Sequence, residues 1–157
     1  MKFMTDRTLG RLARWLRLLG HDTAMYEGKE KSGRDFLNAA LRERRIALSR
    51  NRSLAKRQYR GELKIVRSDR IEEQLREMAE EFGLGPSAEG MFQICMVCNE
   101  KLLPADRREV KGLIPDYVEE TQASFRKCPC CGRIFWPGTH LQRAEAFMKR
   151  HIPKDRP

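Results

Sequence analysis

Two tight pairs of cysteines carry the strongest chemical signal in this sequence. Cys95-x2-Cys98 and Cys128-x2-Cys131 are separated by 29 residues. Each pair presents two thiolates from one chain reversal, and two such turns complete a tetrahedral shell. Four thiolates leave no open position for water, so the expected ion is a structural Zn2+ in a small zinc ribbon. Gly132, directly after the second pair, tolerates the positive φ of a tight turn. Cys130 sits between two ligands and reads as a free thiol, with exchange against Cys131 left open. His140 could replace a thiolate in principle, but reads rather as a turn cap or a partner contact.

A second set of residues offers oxygen. Asp6, Asn51 and Asp69 fall at the expected carboxyl ends of strands, where a parallel sheet places its ligands. Carboxylates gathered there would bind Mg2+ or Mn2+ and activate water for phosphodiester hydrolysis. Each also has a plainer reading, as a helix cap for Asp6 and Asp69 and as a turn residue for Asn51.

The third set is cationic. Arg42, Arg44, Arg45, Arg50, Arg52, Lys56, Arg57 and Arg60 face the single acid Glu43 between residues 42 and 60. Arg7, Arg11, Arg14 and Arg17 recur along the first helix. We expect Arg11, Arg14, Arg17, Arg50, Arg52, Lys56 and Arg57 to contact phosphates, since the net charge is +10 and such a field attracts polyanions. Phe135, Trp136 and His140, with Arg133 and Arg143 around them, fit either a base-stacking surface or the ribbon's own core.

The elements that must position these groups alternate strand and helix. Lys2 to Thr5, His21 to Tyr26, Ile46 to Ser49 and Leu63 to Val66 read as strands. Arg7 to Leu19, Arg34 to Arg44, Ser53 to Tyr59 and Ile71 to Phe82 read as helices, the first with Leu9, Leu12, Leu16 and Leu19 on one stripe. A βα repeat of this kind makes a parallel sheet covered on both faces, a three-layer α/β/α domain. Gly83, Gly85, Pro86, Ser87 and Gly90 mark a linker. The expected division is an α/β domain over 1–85, the zinc ribbon over 91–141 and a basic tail over 142–157. No apolar stretch approaches the roughly 20 residues that span a bilayer, and the N-terminus lacks a signal-peptide layout. Five cysteines used this way suit a reducing compartment, so we expect the cytoplasm and no membrane partner.

The run from Asp6 to Asp22 closely resembles the opening of the Mut-seven C-terminal RNase domain family. Further landmarks are Arg45 to Arg52, the Glu73-Gln74-Leu75 helix, Cys95-x2-Cys98-Asn99 and Ile114-Pro115. The last is Cys128-x2-Cys131-Gly132-Arg133, followed by Trp136-x-Gly138-Thr139-His140. The resemblance implies a PIN-like fold with a zinc ribbon behind it, and metal-dependent RNA cleavage by acids at the strand ends. Asp6 matches the first acid and Asp69 sits where another would lie. Gly33 stands where the family places an aspartate, and Ser49-Arg50-Asn51 stands where it has Thr-Arg-Asp. Asp35 is a poor substitute, because two residues turn a helical side chain by roughly 200°. The expectation is therefore an RNA-binding, ribonuclease-like protein whose activity is weak or lost. The alternative is a non-catalytic RNA-binding or ribosome-associated zinc protein. A DNA-binding zinc protein fits less well, since no recognition helix accompanies the knuckles.

Overall fold

The computed structural model describes residues 1–28, 32–85 and 90–152. The interval read as a linker includes 86–89 and the expected tail includes 153–157, both outside the described residues. Strands β1 (Lys2–Thr5), β2 (Asp22–Met25), β3 (Ile46–Ser49) and β4 (Leu63–Ile65) pair in parallel in the order β2-β1-β3-β4. Alternate side chains serve two cores, as the period of a strand requires. Phe3 and Leu48 join the core under α1 (Gly10–Leu18) and α3 (Ile71–Phe82). Met4 and Ala47 join the opposite core under α2 (Gly33–Arg42), which buries Phe36, Leu37 and Ala40. Helices thus cover both faces, and the three layers expected from the βα repeat are present.

Local chemistry sets the helix boundaries. Ser32 caps α2 by accepting the Arg34 N–H. Glu72 and Glu73 in the first turn of α3 complement the helix dipole, and Gly83, with φ of 65°, closes it in the left-handed conformation. The basic segment expected as a helix from Ser53 to Tyr59 is instead a 3-10 turn over Arg52–Lys56. Only Leu54 is buried there, too little apolar surface to stabilise a longer helix.

The cysteine-bearing part is an antiparallel sheet of β5 (Leu103–Ala105), β6 (Phe125–Lys127) and β7 (Ile134–Phe135). Two short helices, α4 (Arg107–Val110) and α5 (Asp116–Thr121), connect β5 to β6. Val110, Ile114, Val118 and Phe125 form a small core there, with Trp136 packed against it, while Phe135 packs beside the cysteines. Both rings therefore serve the module's own interior. The side chain of His140 lies outside the described residues.

The expected basic tail is corrected over most of its length. Helix α6 (Thr139–His151) returns to the first domain, where Met148 is wholly buried in the same core as Leu12 and Leu16. Leu141, Ala144, Phe147, Met148 and Ile152 recur at helical spacing and form an apolar stripe that abundant charges mask in the sequence. Burying Met148 alone stabilises this docking by about 1.5–3 kcal/mol. No described helix is long and apolar enough to cross a membrane.

Candidate metal centre and strand-end site

Each cysteine pair sits on a turn of the same design. The Cys95 N–H donates to the Glu100 carbonyl at 2.8 Å and the Asn99 N–H to the Cys95 carbonyl at 2.9 Å. The Cys128 N–H likewise donates to Arg133 at 2.9 Å and the Gly132 N–H to Cys128 at 2.9 Å. Asn99 and Gly132, with φ of 65° and 69°, hold the equivalent left-handed position. Backbone N–H groups of Cys98 and Cys131 point at the sulfurs of Cys95 and Cys128, each at 3.5 Å.

Those turns bring the four sulfurs of Cys95, Cys98, Cys128 and Cys131 within 4.8 Å of one another. Four thiolates about 2.3 Å from a central ion stand about 3.8 Å apart along each tetrahedral edge. Cys95 Sγ and Cys131 Sγ are separated by 3.8 Å, so the donor set fits such an ion. Cys130 is exposed and takes no part in the cluster. Burial pushes the Cys95 thiol up and the hydrogen bond to Cys131 pushes Cys98 up, whereas the Arg133 backbone N–H draws Cys131 down to about 7.

Beside the first knuckle lies a clasp that the sequence concealed. Arg17, expected to contact phosphates, is only 6% exposed. Its Nε donates to the Thr23 carbonyl at 2.8 Å, and Nη1 donates to the carbonyls of Met96 at 3.0 Å and Val97 at 2.9 Å. Burial pushes the guanidinium down from its ordinary value, opposed by Cys95 and Cys98. The reason is angular: each three-residue step falls about 60° short of a full turn, so Arg17 stands about 120° round from Arg11. That rotation carries it under the knuckle. Asn99 completes the clasp, its Oδ1 accepting the Thr23 N–H at 2.7 Å and its Nδ2 donating to Asp22 at 2.5 Å. Arg45 donates to the same Asp22 oxygen at 2.7 Å. Partial burial would raise the Asp22 carboxyl, but hydrogen bonds from Arg45 and Asn99 outweigh it and hold it below the usual carboxylate range.

At the other end of the sheet, the order β2-β1-β3 makes a switch point between β1 and β3. Asp6 lies there. Its Oδ1 accepts from the Thr8 N–H at 2.9 Å and the Thr8 hydroxyl at 2.5 Å, and its Oδ2 accepts from the Ser49 hydroxyl at 2.5 Å. Asn51 follows β3 and repeats this arrangement, its Oδ1 accepting from Ser53 N–H at 3.0 Å and Ser53 hydroxyl at 2.7 Å. Both oxygen lone pairs of Asn51 are engaged, which leaves the amide NH2, a donor, for any ligand. Asp69 is exposed beyond β4, which β3 separates from β1, so the two strand ends stand about 10 Å apart.

The position of Gly33 is filled from elsewhere. A Cβ built there would lie 2.3 Å from Leu54 Cδ2, and Leu54 is buried. Among the described residues, the four cysteines are the one group of three or more His, Cys, Asp or Glu side chains gathered closely enough to hold an ion. The strand-end residues thus do not fit a three-carboxylate site for Mg2+ or Mn2+. Ser49 and Thr8, which hold Asp6, were missed in the sequence, although a hydroxyl two residues after a capping acid is a readable signal.

Arg11, Arg14, Arg50, Arg52, Lys56 and Arg57 are all exposed, and no ion pair among the described residues engages them. Arg45 is instead committed to Asp22 and Glu43. Neither a curated protein nor a solved structure matches the chain. The model of the Mut7-C RNAse domain matches residues 1–148, which includes the strand-end site, both knuckles and most of α6. The chain belongs to the Mut7-C RNAse domain family.

Proposed function

We propose that this is an RNA-binding protein of PIN-like architecture whose acidic site is incomplete, so that metal-dependent ribonuclease activity is weak or lost. One observation carries the reading. Of the three positions that would supply acids around the β1 and β3 ends, Asp6 keeps its carboxylate, Asn51 has its oxygen engaged by Ser53, and Gly33 has its space taken by Leu54. Divalent cations of this class need oxygen ligands and gain most from charged ones. Asp6 and Asp69 are the acids that would remain. The four-cysteine centre holds a structural Zn2+ in this reading, and the cytoplasm is the expected compartment.

Family membership and the unpaired cations support RNA as the partner. Phosphates would track Arg11 and Arg14 on α1 and Arg50, Arg52, Lys56 and Arg57 after β3. Engagement of all six would give a log–log salt slope of about −4 on single strands. The deciding experiment is a ribonuclease assay with millimolar Mn2+ on single-stranded and structured RNA, run beside a binding assay. Salt-sensitive binding with slow or absent cleavage is expected. Efficient cleavage abolished by Asp6→Ala would show a complete site, and efficient cleavage untouched by Asp6→Ala would remove the site altogether. The engagement of the Asn51 oxygen by Ser53 favours the stronger form of the reading, a non-catalytic RNA-binding or ribosome-associated zinc protein.

A further inference from the structure

The return of α6 to α1 creates a cleft that neither domain has alone. Arg11, Arg14, Trp15 and Leu18 line it from α1, Arg143, Ala144 and Phe147 from α6, and Phe92 and Met96 from the lead into the first knuckle. Its volume is about 440 Å3, within the range of about 300–1,000 Å3 typical of sites for one small ligand. The floor is apolar and aromatic. Trp15 and Phe147 stack with ring centroids 5.0 Å apart and planes at 25°. The charged lining residues are Arg11, Arg14 and Arg143, all exposed, and none is ion-paired among the described residues.

We propose that this cleft holds one nucleotide of a single-stranded RNA, its base against the aromatic floor and its phosphates on the three arginines. The inference rests on the RNA-binding reading above and adds a site to it. Three guanidiniums without a carboxylate select a ligand with more than one negative charge, which a fatty acid lacks. Aromatic rings beside them select a flat, apolar body, and every base has a π-face that stacks regardless of sequence. An acidic amphipathic helix carries the right charge, but needs a groove for several successive anchors, longer than this cleft. Arg11 lies in the first turn of α1 and Leu18 ends that helix, so a strand seated here runs from the neighbourhood of Asp6 along α1. The clasp positions the floor, because Arg17 fixes the carbonyl of Met96.

The test uses the full, zinc-loaded chain with oligo(U) and oligo(A) of about 12 nucleotides. Ultraviolet cross-linking should map to Trp15, Phe92 or Phe147. The double change Arg14→Glu and Arg143→Glu should weaken binding by about fivefold or more, the smallest loss expected when one stacked base is released. Trp15→Ala should do the same, with circular dichroism checking that the helix pair survives. The charge-matched control, Lys149→Glu with Arg150→Glu, reverses exposed charges on α6 that do not line the cleft. Equal losses from control and test pairs, without cross-links in the cleft, would overturn this site. If binding then depends on Arg50 and Arg52 alone, the RNA reading stands without it; if the wild-type chain binds no RNA, both fall. Tight binding of an acidic amphipathic peptide or an anionic vesicle in this cleft, undisturbed by oligo(U), would also overturn it.

Discussion

The two knuckles share one local geometry and the two strand ends share another, and the two pairs differ in the side chains that they carry. Cys95 to Asn99 and Cys128 to Gly132 share their backbone hydrogen bonds and keep all four sulfurs. Asp6 with Thr8, and Asn51 with Ser53, share a capping geometry but keep one carboxylate between them. Capping needs only an acceptor oxygen, which an amide supplies as well as a carboxylate. A cation site needs charge. A turn of this kind therefore stands with or without a charged side chain at its cap, whereas a four-cysteine centre that loses one thiolate would lose its hold on a structural ion.

The sharpest way to break this comparison is to remove the metal. Structural zinc contributes on the order of 10 kcal/mol to modules of this size. A chelator, or Cys128→Ser, should abolish hydrogen-exchange protection from about residue 94 to 135 while β1 to β4 keep theirs. Metal analysis finding no zinc, with the module still protected, would reverse the contrast between the two sites.

The clasp comes next. Arg17→Ala strands the carbonyls of Thr23, Met96 and Val97 and should lower stability by about 2–3 kcal/mol. Arg11→Ala, which exposes nothing, should leave the melting temperature within error. An equal effect of the two changes would mean that Arg17 does not tie the knuckle to α1.

Gly33 tests how firmly Leu54 holds the space at the start of α2. Glycine to alanine stabilises a helix interior by about 1 kcal/mol, and Gly33, the first residue of α2, would gain less than that. Here Gly33→Ala meets Leu54 and should instead destabilise by about 1 kcal/mol, overpacking outweighing propensity. Measured in a Leu54→Ala background the sign should return to stabilising, and chemical denaturation of the four proteins gives the cycle. Restoring acids with Gly33→Asp and Asn51→Asp should accordingly raise Mn2+ affinity only when Leu54 is also reduced.

The smallest expected effect is that of acid. Asp22 has its carboxyl lowered in the fold, so its contribution is present above the ordinary value of about 3.9 and is lost as pH falls through the folded value. His21 is lowered by burial, so stability also falls as pH drops below about 6.5 and the unfolded chain takes up the proton first. In thermal melts from pH 7 to pH 3, where thiolate protonation also releases a bound metal, the difference between the parent and Asp22→Asn should narrow as pH falls through the folded value of Asp22.

The parallel strands were readable because burial on both faces and helical stripes leave strong periodicities, and Ile46 to Ser49 and Ile71 to Phe82 match to the residue. The cysteine cluster was readable because a short spacing fixes a turn wherever it occurs. Arg17 was not, since only the position of the knuckle distinguishes a guanidinium in water from one beneath three carbonyls. Asn99 offered a fainter signal, standing after Cys98 as Gly132 stands after Cys131.

Composition and spacing alone determined the βα order, the two cysteine pairs and the excess of cations, because each is a property of residue type or local period. Tertiary structure alone decided that Leu54 fills the space beside Gly33 and that Arg17 leaves the cationic face for the interior. It also decided that α6 closes a basic, aromatic cleft against α1. These outcomes depend on which distant segments meet, and a pairing between residues 17 and 96 or 33 and 54 leaves no mark on the sequence near either one.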